Sequence, residues 1–88
     1  MNKHLIISGR VQGVGFRYAA KQKAEDYKLA GWVKNKDDGT VELEVEGTEI
    51  YVNSYISELK AGLNKFIRIE NIISENSEEK GYSNFTIK

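Results

Sequence analysis

An α+β fold is predicted by three features of this 88-residue chain. Two segments carry apolar residues at helical spacing, extended runs lie in pairs around them, and no proline, linker or repeat divides the sequence. A chain of this length buries only about 60% of its unfolded surface, so a single economical core is expected. Residues 1–88 are accordingly read as one domain.

His4 to Val11, rich in branched apolar residues, reads as the first strand. Gly9, Gly13 and Gly15 punctuate the loop that follows. From Phe16 to Leu29 the period becomes helical: Phe16, Ala20, Ala24 and Tyr27 form one stripe, with Lys21, Lys23, Glu25 and Asp26 on the wet side. Ala30-Gly31 stops that helix, and a second strand begins at Trp32 and runs to Asn35. Asp37-Asp38-Gly39 marks a turn between extended runs. Val41, Leu43 and Val45 then alternate with Glu42, Glu44 and Glu46, a strand with one buried face and one solvated face. Thr48 is expected to cap a second helix, with Glu49 near its positive end, a stripe of Val52, Ile56, Leu59 and Leu63, and Gly62 at its stop. Phe66 to Ser74 reads as a fourth strand with a bulge near Asn71, where its alternation slips. Glu75 to Gly81 reads as a polar loop, and Tyr82 to Lys88 as a short final strand. Helices separated by strand pairs specify a ferredoxin-like βαββαβ sandwich with an additional short C-terminal strand, both helices on one face of a mainly antiparallel sheet. That fold hosts many chemistries and selects none.

Composition narrows the field. Thirteen basic and thirteen acidic side chains cancel. General nucleic-acid binding needs an uncompensated positive field, so no nucleic-acid partner is expected. The absence of cysteine removes disulfide, thiolate and zinc-thiolate chemistry and favours a reducing compartment. The N-terminal apolar stretch ending at Ser8 is too short for a signal peptide or a membrane span, so a cytoplasmic protein with no membrane partner is expected. Lysine outnumbers arginine ten to three, yet two of the arginines, Arg10 and Arg17, fall in the segment Gly9–Arg17. Arginine so placed suggests that its planar fork is wanted there.

That segment, Gly9-Arg10-Val11-Gln12-Gly13-Val14-Gly15-Phe16-Arg17, joins a strand to the first turn of a helix. Successive backbone N–H groups there are able to face one concavity, helped by the positive helix end. Arg17 is placed to reach back over the same hollow and bind two phosphoryl oxygens. The segment lacks the Gly-Lys-Ser/Thr ending of the Walker loop and the Gly-x-Gly-x-x-Gly spacing of dinucleotide sites. From the glycines alone, a simple tight connection and an anion site both stand open.

The same segment, followed by Gly31-Trp32-Val33-Lys34-Asn35 and Asp38-Gly39-Thr40-Val41-Glu42, closely resembles the acylphosphatase family over nearly the whole chain, down to the ending Phe85-Thr86-Ile87. The resemblance implies that Gln12, Gly13, Val14, Gly15 and Phe16 hold a phosphoryl group by backbone N–H groups. It implies that Arg17 is the phosphate-binding arginine and that Asn35 orients the attacking water. The implied reaction cleaves small acyl phosphates to carboxylate and inorganic phosphate, with no metal, cofactor or covalent enzyme intermediate. Three departures bear on substrate contacts and stability: Ala20 stands where many members have threonine, Lys34 where arginine is common, and Lys60–Lys65 where a glycine-proline segment is usual. A monomer is expected.

Element order supports that pairing independently. The first two strands run in the same direction, so Arg17 and Asn35 both follow from the same sheet edge, roughly 10 Å apart if one strand lies between. An acyl phosphate also carries a good leaving group, which fits a site without an obvious general base. The remaining candidates take structural readings: His4 as an edge residue, Asp37-Asp38 as turn rather than metal chemistry, and Glu42, Glu44 and Glu46 as a solvated row paired with lysines. Trp32 and Tyr27 are assigned to core packing and Arg10 to a structural role. Rival functions are a non-catalytic anion-binding module, disfavoured by Asn35 and by a chain that starts at Met1 with nothing beyond the domain, and an RNA-binding domain, disfavoured by the neutral charge and a first strand without aromatics.

Overall fold

A computed structural model describes residues 1–88. Its elements run β1 (Asn2–Arg10), α1 (Phe16–Asp26), β2 (Ala30–Asn35), β3 (Val41–Glu46), α2 (Glu49–Ala61), β4 (Arg68–Ser77) and β5 (Phe85–Ile87). The five strands form one sheet in the order β4-β1-β3-β2-β5, antiparallel except for the β2–β5 pair. This is the ferredoxin-like arrangement with an extra C-terminal strand. Because β3 alone separates β1 from β2, the C-terminal ends of β1 and β2 share one sheet edge, two strand spacings apart.

One sheet face builds the core. Leu5 and Ile7 of β1, Val33 of β2, and Val41, Leu43 and Val45 of β3 pack under Phe16, Ala20 and Ala24 of α1 and Val52, Tyr55, Ile56 and Leu59 of α2. Those helical residues fall on the expected stripes, with Tyr55 added. Its hydroxyl donates to the Ala20 carbonyl at 2.8 Å, tying one helix to the other through the buried layer. Tyr27 packs at the margin of this core and donates its hydroxyl to Glu58 of α2.

Element boundaries shift where tertiary contacts outweigh local pattern. Helix α1 ends at Asp26, since Lys28 takes a left-handed conformation (φ 57°). Thr48 sits at the N-cap of α2, but its side chain makes no capping bond. Strand β4 runs on to Ser77, through the first three residues of the expected polar loop, because β1 pairs with it out to Asn2. The anticipated bulge exists one residue early: Ser8 pairs with Asn71 and Gly9 with Ile69, leaving Glu70 unmatched.

Three structural readings of single residues need correction, all on the sheet face away from the helices. His4 is not at an edge: β1 lies between β4 and β3, and His4 Nε2 meets Glu42 Oε2 at 2.6 Å. Trp32 is buried outside the helix-side core, with His4 at its edge, Lys88 Nζ 4.1 Å from the ring centroid, and its indole N–H donating to Tyr82. The glutamate row is only partly as expected. Glu42 does pair across strands with Lys34 at 3.6 Å, but Glu44 and Glu46 are 5% and 9% exposed. The segment after β4 folds over them. Glu46 accepts from the Asn2 side chain and from the backbone N–H groups of Lys80, Gly81 and Tyr82, while Glu44 accepts from Asn2 and from Lys80 Nζ.

Burial by itself raises both carboxyls, but the donated hydrogen bonds outweigh it and leave Glu44 and Glu46 below the ordinary glutamate value. A carboxyl depressed by folding contributes stability above its unfolded pKa and loses it as pH falls through the folded one. Stability is therefore expected to be level near neutrality and to drop below about pH 4.5. Glu46→Ala, which strips four donors of their acceptor, should cost about 2 kcal/mol at pH 7 and flatten that drop. Urea unfolding across pH checks both; a variant as stable as the parent at pH 7 would contradict them.

Candidate active site

Between β1 and α1 the chain turns through Gly13 (φ 73°) and Gly15 (φ 77°), with no positive φ at Val14. Alternation of right- and left-handed residues points successive N–H groups into one concavity. At both glycines a Cβ would meet no atom within 4 Å, so conformation rather than crowding requires them. The first backbone bond donated after the loop is from Ala19 N–H to the Gly15 carbonyl. No N–H from Gln12 to Tyr18 donates to a backbone acceptor. Gly15 offers α1 no side-chain cap, and the first helical turn holds no acidic residue. The positive helix end therefore faces the hollow unneutralised.

Arg17 lies in that first turn and takes part in no ion pair with Asp or Glu. Across the sheet edge, Asn35 closes β2. Its Oδ1 is buried and has no hydrogen-bond partner in the protein, a condition that costs about 1–3 kcal/mol and marks a group held for a purpose. Arg17, Asn35, Gly13, Gly15 and Phe16 line a single hollow of ≈ 230 Å³. That is below the ~300–1,000 Å³ of sites for drug-sized ligands and suits a small anion with a modest appendage.

Two of the residues expected at the site, Gln12 and Val14, do not line the hollow. The Gln12 side chain instead donates to the carbonyls of Lys36 (2.8 Å) and Thr40 (2.9 Å), bracing the loop against the β2–β3 turn. Val14 offers its carbonyl to the Asn64 side chain at 3.5 Å. The turn itself is organised by Asp38, whose carboxylate takes the N–H and hydroxyl of Thr40, bonds that hold it below the usual aspartate value. No three His, Cys, Asp or Glu side chains come together anywhere in the chain as a metal-ligand set.

Of the departures, Ala20 is buried beneath the helices, Lys34 lies on the opposite sheet face near Trp32 and Glu42, and Gly62 (φ 83°) with Asn64 turns the chain after α2. Sequence reasoning passed over Tyr18, Val11 and Ile87, which complete the hollow's walls. Tyr18 was detectable as an aromatic off the apolar stripe of α1, one residue from Arg17. Ile87 depended on knowing that β5 docks beside β2.

Fold and site together define a ferredoxin-like domain with a glycine-rich, arginine-lined hollow where its first strand hands over to its first helix. The family model for acylphosphatases matches residues 3–87. An acylphosphatase of Bacillus subtilis strain 168 is 44% identical over 84 residues, spanning 94% of this chain and 91% of the relative. The crystal structure of the acylphosphatase from Bacillus subtilis superposes with a TM-score of 0.93 at 41% identity, covering 99% of this chain and 97% of that one. The structure of an acylphosphatase from Coxiella burnetii gives a TM-score of 0.92 at 34% identity, covering 99% and 90%. This chain belongs to the acylphosphatase family, and its enzymatic activity is that of an acylphosphatase.

Proposed function

We propose that residues 1–88 work as one monomeric cytoplasmic unit that hydrolyses small acyl phosphates at the hollow beside Arg17. Backbone N–H groups from Gln12 to Phe16 and the Arg17 guanidinium hold the three phosphoryl oxygens. The Asn35 side-chain amide holds a water and aims its oxygen at phosphorus. The water oxygen forms the new P–O bond while the bond from phosphorus to the carboxyl oxygen breaks. The carboxylate leaves with that electron pair, and both water protons stay on the phosphate, released as dihydrogen phosphate. Little general-base help is needed for so good a leaving group, so catalysis is positioning and charge stabilisation.

The observation that carries this reading is the meeting, in one hollow, of unengaged amides, an arginine without a carboxylate partner, and an orphaned buried amide oxygen. Nucleic acid has no place in it. The sheet face away from the helices carries Glu42 and Glu75, with Glu44 and Glu46 buried under residues 80–82, and no helix is long and apolar enough to cross a membrane. The test is phosphate release from benzoyl phosphate by the purified protein. Phosphate binding without turnover would replace the enzyme reading with that of a non-catalytic module. Product binding gives a second measurement: inorganic phosphate at ten times its Kd should add about 1.4 kcal/mol to the unfolding free energy. Arg17→Ala should abolish that gain.

A further inference from the structure

We propose that the acyl group of the substrate sits against Tyr18 and Ile87, and that this wall makes the enzyme selective for aryl and bulky apolar acyl phosphates. The inference rests on the reading of Arg17 and Asn35 given above. Asn35 borders two hollows. One is the phosphoryl site, whose other walls include Val11, Phe16, Tyr18 and Ile87, so half of its lining is apolar. The second is lined by Lys34, Asn35, Lys36, Asp37 and Asp38, without a single apolar residue.

In-line displacement places the attacking and leaving oxygens on opposite sides of phosphorus. The hydrophilic hollow is the natural route by which water reaches the Asn35 amide. The acyl group must then depart away from it, within the hollow that carries the apolar wall. Tyr18 and Ile87 are 62% and 41% exposed, and they line that hollow together with Arg17 and Asn35. Scattered exposed apolar residues need no explanation, but two converging on the reacting centre form a surface that an apolar ligand would cover. The Tyr18 ring is also held in place, because Gln22 Nε2 donates to its hydroxyl at 2.9 Å. An aromatic acyl group would gain ring-on-ring contact there, while an acetyl group is too short to use it.

The experiment compares kcat/KM for benzoyl, acetyl and succinyl phosphate in the parent protein, Tyr18→Ala, Ile87→Ala, Tyr18→Phe and Lys36→Ala. The parent should favour benzoyl phosphate. Either alanine variant should lower the benzoyl-to-acetyl ratio by about tenfold, and Tyr18→Phe should keep it. Benzoate, the product, should inhibit the parent more strongly than acetate and lose that advantage in Tyr18→Ala. An unchanged ratio in both alanine variants overturns the proposal. So does a preference for the anionic succinyl group that vanishes in Lys36→Ala, because the acyl group would then lie on the lysine side. No turnover of any substrate by the parent sinks the underlying reading instead, which keeps the two failures apart.

Discussion

Arg17→Ala should lower kcat/KM for benzoyl phosphate by about 10³-fold or more while the protein stays folded. The size follows from what the guanidinium faces. In a phosphoryl transfer with a loose transition state, charge spreads over the equatorial oxygens, and a preorganised cation there is worth far more than in water. Folding should survive because Arg17 holds no ion pair that its removal would break. Arg17→Lys should recover only a small part of the rate, since an ammonium is a point charge and cannot span two oxygens in a plane. Steady-state kinetics beside urea unfolding separates lost chemistry from lost structure. Parent-like rates in Arg17→Ala would falsify the assignment.

Asn35→Ala should act differently. We expect kcat to fall by about 10²–10³-fold with only a small change in KM, because the role proposed for the amide is to aim water rather than to grip phosphate. Its effect on stability should run the other way. The Asn35 Oδ1 is buried and unpartnered, so deleting it removes a desolvation cost of about 1 kcal/mol and should leave the variant as stable as the parent or more so. Such a trade of stability for activity is the expected mark of a group kept for chemistry. Parent-like turnover, or a loss of activity matched by a loss of stability, would count against the role.

How much of this was legible in advance depended on whether the cause was local. The apolar half of the β3 alternation, the two helical stripes and the glycine-rich turn are written in spacing, and the structure follows them closely. Strand order also followed from element order, and with it the common edge that Arg17 and Asn35 share. What failed was set by distant chain. Glu44 and Glu46 read as solvent-facing because alternation cannot know that residues 80–82 will return to cover them and supply N–H groups. Trp32 read as core for the same reason: an aromatic on a strand looks identical whichever face it serves. The side-chain task of Gln12 was equally hidden, since its amide answers carbonyls in a turn formed more than twenty residues later.

That Gln12 brace has a dynamic consequence. Its two hydrogen bonds clip the loop proposed to cradle phosphate to the hairpin that immediately follows Asn35. Thermal wobble of the hairpin must then carry the cradle with it, like two jaws cut from a single block. On the proposed mechanism, the gap between the anion and the oxygen that attacks it is thereby braced from both sides.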